Sequence, residues 1–254
     1  MAQLPSLILV HGAATGAWVW DAWRRHLGAL GWEVNVLDLR GHGRSLPIDL
    51  ATVTMEDYLG DLESVTGQIE AARGAQPIVC GWGMGGTLAM MYAAKHDATP
   101  ALILLEPSPP VEISGRVAPE VVRRFSGEVL GPEASGVFPD DRELSRLMLF
   151  DLTDAEIDSF LNRSAGAEES GLAFRQNLRG MSIAQGVIGC PVLVLFGETA
   201  ERAAIDRQNR ELASHLGGEC LALPGAGHWG IVYSDRRVAE TAPQVDAWLR
   251  RVLD

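Results

Sequence analysis

The segment "CGWGMGGTLAMMYAAKH", residues 80–96, decides how the rest of the chain is read. Its left flank, "PIVCGW" (77–82), is a short apolar run of the kind that forms a buried strand. From residue 84 to 96 the apolar residues recur at helical spacing. Between the two lies Gly81-Trp82-Gly83-Met84-Gly85, a sharp strand-to-helix turn. Such a turn needs close backbone approach and unusual dihedrals, and glycine allows both. Gly83, at its apex, carries no side chain and so offers no nucleophile.

Outward from this turn, "LILV" (7–10), "VNVLDL" (34–39), "ALILLE" (101–106), "PVLVLF" (191–196) and "CLALP" (220–224) are further short apolar runs. Most are continuously apolar rather than alternating, as a parallel sheet covered on both faces requires. Helical spacing appears over 19–30, 55–73, 84–96, 205–216 and 235–252, with Thr54 and Asp57 forming a capping signal before the second. Strand and helix alternate, so the fold class is α/β, with a mostly parallel central sheet flanked by helices. Residues 107–185 break the rhythm with Pro107, Pro109, Pro110, Pro119, Pro132 and Pro139. They leave the sheet after one strand and return at the next. We expect a core of residues 1–106 and 186–254, and a helical lid at 107–185 over the carboxyl ends of the strands.

The chain has 254 residues, 47% of them hydrophobic, which suits one domain with a single core. A formal net charge of −12, with no dense basic run, disfavours nucleic acid and anionic membranes as partners. Cys80, Cys190 and Cys220 lie in or beside apolar runs without metal-site spacing, which reads as buried, reduced thiols. The start "MAQLPSLILVHG" lacks the basic region of a secretory signal and no stretch reaches membrane-span length, so a cytoplasmic protein is expected. No cofactor and no metal site is expected. The partner is a small-molecule substrate, and the oligomeric state is left open.

Four motifs fall at strand ends in a fixed order: "LVHGAATGAW" (9–18), "LDLRGHGRS" (37–45), the turn at 81–86, and "PGAGHWG" (224–230). Together they resemble the α/β-hydrolase superfamily along essentially the whole chain. The resemblance implies an α/β-hydrolase fold with a helical lid insertion, though the family's usual first strand pair is absent or truncated. In that family the turn reads G-x-S-x-G and holds a reactive serine at a strained elbow. Here the nucleophile position is occupied by Gly83. The backbone amides of Ala13 and Met84 match the family's oxyanion-hole donors, and His228 matches its catalytic histidine. The family's common acid site, G-x-x-D, reads Gly197-Glu198-Thr199-Ala200 and lacks its aspartate. Some members place the acid one core strand earlier, where this chain has Glu106. Glu198, Glu201 and a missing acid stay open as alternatives.

Trp18, Trp20, Trp82 and Trp229 lie in or beside these motifs and are candidates for an apolar substrate pocket. Met148 and Phe150 of the expected lid are candidates to face the same cleft, though sequence does not give their orientation. His11, His42 and Asp38, set around tight glycine turns, read as structural, and His26, His96 and His215 as helix-surface residues. Three functions compete. One is an enzyme in which His228 and an acid perform proton transfer beside an oxyanion hole: a lyase, decarboxylase, cyclase, cofactor-free oxygenase or direct hydrolase acting on a small apolar or aromatic carbonyl compound. The second is a serine esterase, lactonase or thioesterase inactivated by glycine at position 83. The third is a non-catalytic small-ligand-binding protein.

Overall fold

The computed structural model describes residues 4–114 and 142–254. Six strands form one sheet: β1 (Leu7–Val10), β2 (Val34–Leu37), β3 (Ile78–Trp82), β4 (Leu102–Leu105), β5 (Val192–Glu198) and β6 (Glu219–Pro224). Their order is β2-β1-β3-β4-β5-β6 and every pairing is parallel. The register aligns the carboxyl ends, pairing Val10 with Gly81 and Trp82 with Leu105. The loops that follow the strands therefore open on one edge of the sheet, where ligands of such folds bind.

The continuously apolar strands divide their side chains between two cores. Leu7, Leu9, Ile78, Cys80, Ile103, Leu105, Leu193 and Leu195 join one; Ile8, Val10, Val79, Leu102, Leu104, Val192 and Val194 join the other. The first core is closed by α1 (Asp21–Ala29) and the carboxyl-terminal helix, which pack on each other. On the opposite face lie α2 (Met55–Arg73) and α3 (Met84–Lys95). At the start of α2, Thr54 and Asp57 form a reciprocal capping box, with Thr54 N donating to Asp57 Oδ2 at 2.9 Å. Gly74, at φ 73°, ends that helix in the left-handed region.

Between β4 and β5 the described residues form only helices: α4 (Val111–Ser114), α5 (Arg142–Met148), α6 (Asp154–Ser164) and α7 (Gly171–Arg179). Residues 115–141 of the expected lid lie outside the described residues. After β5 come α8 (Ala203–His215), β6, α9 (Gly230–Tyr233) and α10 (Asp235–Leu253). Among the described residues no helix is long and apolar enough to cross a membrane.

One expectation fails in the sheet. Cys80 is buried and Cys190 partly so, but Cys220 is exposed, because β6 is the edge strand and its outer face meets solvent. Burial pushes the Cys80 thiol far up from its ordinary value and the Cys190 thiol to about 11. Cys80 is therefore no substitute nucleophile.

Candidate active site

The turn at residues 81–85 is a strained elbow, and its glycines have different reasons to be there. A Cβ at Gly81 would lie 2.2 Å from Gly85 O, and one at Gly85 would lie 2.3 Å from His11 O. Both positions exclude any side chain. Gly83 instead has room: its Cβ would meet nothing nearer than His228 Nε2 at 3.6 Å. It does adopt φ 55°, ψ −121°, a conformation that L-residues rarely take. Gly83 N donates to Leu105 O at 3.1 Å, and its carbonyl accepts from Gly86 and Thr87, so the strand and the helix both hold the apex. The amides of Met84 and Ala13 adjoin this point, and no acceptor engages either among the described residues.

His228, on the loop between β6 and α9, points Nε2 at Gly83 and Nδ1 at Glu106 Oε2, 2.8 Å away. The indole of Trp82 lies 4.9 Å from the imidazole, centroid to centroid, and its Nε1 donates to His228 O at 3.0 Å. Trp82 thus fixes both the ring and the backbone of the histidine. Glu106 sits just past β4 at φ 39° and is 5% exposed. Its Oε1 accepts from Gly197 N at 2.7 Å and from Arg202 Nη1 at 3.0 Å, while Arg202 Nη2 donates to Oε2 at 2.5 Å. Burial opposes ionisation of this carboxyl, but the bond and charge of His228, reinforced by Arg202, outweigh it and hold it at about 2. The carboxylate stays charged and can fix the imidazole tautomer that leaves Nε2 free.

The other two carboxylates considered for this position are elsewhere. Glu198 pairs with Arg210 at 2.6 Å on the exposed side of α8, and Glu201 is exposed at the cavity rim. Arg202 escaped the sequence reading. It follows β5 in the loop where the family resemblance calls for an acid, and its partner is 96 residues away, so local spacing carries no trace of it.

These groups open on a cavity of about 820 Å³. Trp82, Met84, Met148, Phe150 and Trp229 supply apolar wall. Trp18 and Trp20 do not line it, contrary to expectation. The 3₁₀ turn Ala17–Trp20 turns both away: Trp18 packs edge-on against Phe160 and Tyr233, and Trp20 is fully buried against Trp23. His11 and His42 are buried beneath the loop after β1, with His11 Nδ1 at 2.8 Å from Gly12 O and its Nε2 accepting from Leu39 N. Burial lowers the His11 imidazole to about 4. Asp38 Oδ1 accepts from Ala17 N at 2.7 Å. His26 reaches Asp235, His96 stacks on Tyr92, and His215 bonds Ile183 O.

Comparison with known proteins agrees with this architecture. The pimeloyl-[acyl-carrier protein] methyl ester esterase of Chromobacterium violaceum is 26% identical over 231 residues, 90% of this chain and 82% of that protein. A thermophilic esterase from Thermogutta terrifontis superposes with a TM-score of 0.72 at 24% identity, covering 100% of this chain and 92% of the other. A histidine-to-alanine variant of tomato methylketone synthase I, solved with beta-ketoheptanoate, gives a TM-score of 0.71 at 15% identity, covering 98% and 100%. A sequence profile described as "Alpha/beta hydrolase family" matches residues 7–242. The chain belongs to the alpha/beta hydrolase family.

Proposed function

We propose that this site performs general acid–base chemistry on a small apolar or aromatic carbonyl compound, without an acyl-enzyme. The observation that carries the reading is the gap between Gly83 and His228. Nε2 faces a backbone that offers it no hydroxyl, while Nδ1 is tied to a buried, charged carboxylate. A histidine so held can take a proton from a substrate carbon or hydroxyl, or from a water attacking a carbonyl. Glu106 stabilises the imidazolium that results. Negative charge developing on the substrate oxygen meets the Ala13 and Met84 amides, at the positive end of α3. The apolar wall of Trp82, Phe150 and Trp229 lowers the local dielectric and strengthens both interactions. The helical insertion is the lid of this cavity, to which it contributes Met148 and Phe150.

Turnover assays test this on a panel of β-keto acids, aryl ketones and esters, read as carbon dioxide release, oxygen uptake and incorporation of labelled oxygen from water. One class should turn over, and His228→Ala should lower that rate by roughly 10² to 10⁴. A second reading, a serine esterase carrying glycine at its nucleophile position, is favoured by the open space at Gly83 and by esterases among the relatives. It requires Gly83→Ser to create hydrolysis of 4-nitrophenyl butyrate while the unmodified chain turns over nothing on the panel.

A further inference from the structure

Among the contacts of the insertion with the core, two touch loops that carry a reacting group. Glu169, 5% exposed, lies between α6 and α7. Its Oε2 accepts from Ala14 N at 2.9 Å, and its Oε1 from Tyr58 Oη at 2.6 Å and Ser170 N at 2.7 Å. His42 Nε2 is 3.2 Å from Oε2, near enough for ionic attraction but off the line of a hydrogen bond. Burial disfavours charge on Glu169, yet the adjacent His42 and the Tyr58 hydroxyl hold its carboxyl below the ordinary range. Ala14 is one of two non-glycine residues among those described with positive φ, at 49°. An alanine gains nothing of its own there, so the conformation must be held from outside. The peptide unit that Glu169 grips directly follows Ala13, which lines the cavity.

Asp151, half-buried between α5 and α6, does the same at the other loop. Its Oδ2 accepts from Gly227 N at 2.6 Å, one residue before His228. The two glycines that bracket His228-Trp229 leave room for it. A Cβ at Gly227 would lie 3.0 Å from Asp151 Oδ1, and one at Gly230 would lie 1.8 Å from Oδ2. Neither glycine has a positive φ, so the need is for space rather than for backbone freedom. The motif "GAGHWG" is therefore shaped, in part, by a carboxylate about 76 residues earlier in the chain.

We infer that Glu169 and Asp151 are positioning residues through which the insertion holds the two halves of the site: Glu169 the oxyanion loop at Ala13-Ala14, Asp151 the loop of His228. Their catalytic meaning rests on the function proposed above, but the tether itself does not. Packing of the insertion thereby sets the distance between base and oxyanion donors, and loosening either contact frees one loop while leaving the sheet intact.

Hydrogen exchange followed by mass spectrometry of the full chain tests this without a substrate. Glu169→Ala should raise exchange in peptides spanning residues 11–18 at least tenfold while those spanning 224–231 stay near wild type. Asp151→Ala should do the reverse. Glu169→Gln and Asp151→Asn retain an acceptor oxygen and should restore most of the protection. Should Glu169→Ala fail to fold, the Asp151 pair decides, since that residue is half-buried. Unchanged exchange in the two loops overturns the inference, as does an equal rise in β1 and β3, which would mark general destabilisation. If the tether holds and no His228-dependent turnover is found, the functional proposal alone fails.

Discussion

Arg202 and Glu106 meet across nearly a hundred residues of chain, and their pairing balances the buried carboxylate that partners His228. Removing the cation leaves a carboxylate that is buried, still bonded to Gly197 and His228, and no longer balanced. Breaking a buried pair from one side costs about 3–5 kcal/mol, so Arg202→Met should lower the urea-unfolding free energy by roughly that amount. Stability should also depend on pH in a particular direction. Glu106 has its carboxyl depressed from an ordinary 4.5 to about 2, so its stabilising contribution is complete above 4.5 and vanishes as pH falls toward 2. The part of the Tm difference between the wild type and Glu106→Gln that comes from this carboxylate should thus shrink as pH falls from about 4.5 toward 2. Little of this pairing is legible in sequence. His228 stands out through its motif and Glu106 only as one of three acids that the family resemblance leaves open, whereas nothing local marks Arg202.

At the scale of elements, the chain writes its four inner strands plainly because burial on both faces leaves no freedom for polar residues. The five helices expected around the sheet are all present, and α2 begins and ends at the residues its capping box and Gly74 dictate. Thr54→Ala should cost about 1 kcal/mol in chemical denaturation. The elbow makes a sharper demand. Gly81→Ala and Gly85→Ala drive a methyl into backbone at 2.2–2.3 Å, so neither should yield folded protein by circular dichroism. Gly60→Ala, in the open middle of α2 with nothing within 4 Å of the added carbon, should instead stabilise by about 0.5–1 kcal/mol. Sequence proximity misleads where an element turns. Trp18 ends the first motif and Trp20 follows it closely, yet the 3₁₀ turn sends Trp18 into the packing around α6 and α9 and buries Trp20 against Trp23. Cys220 reads as core only if β6 is taken for an inner strand.

For the molecule as a whole, an alpha/beta hydrolase scaffold brings together a charged acid, a histidine, two backbone amides without an acceptor among the described residues, and a large cavity around a glycine. If proton transfer at His228 is what this assembly does, it should be visible on a simple carbonyl compound before any natural substrate is known. The direct measurement is deuterium incorporation from heavy water into the carbon beside the carbonyl of 1-tetralone, with the wild type and His228→Ala compared. Incorporation well above buffer is expected for the wild type, with a fall of roughly 10² to 10⁴ in the variant. Incorporation no faster than buffer, or equally fast without His228, would contradict proton transfer at His228.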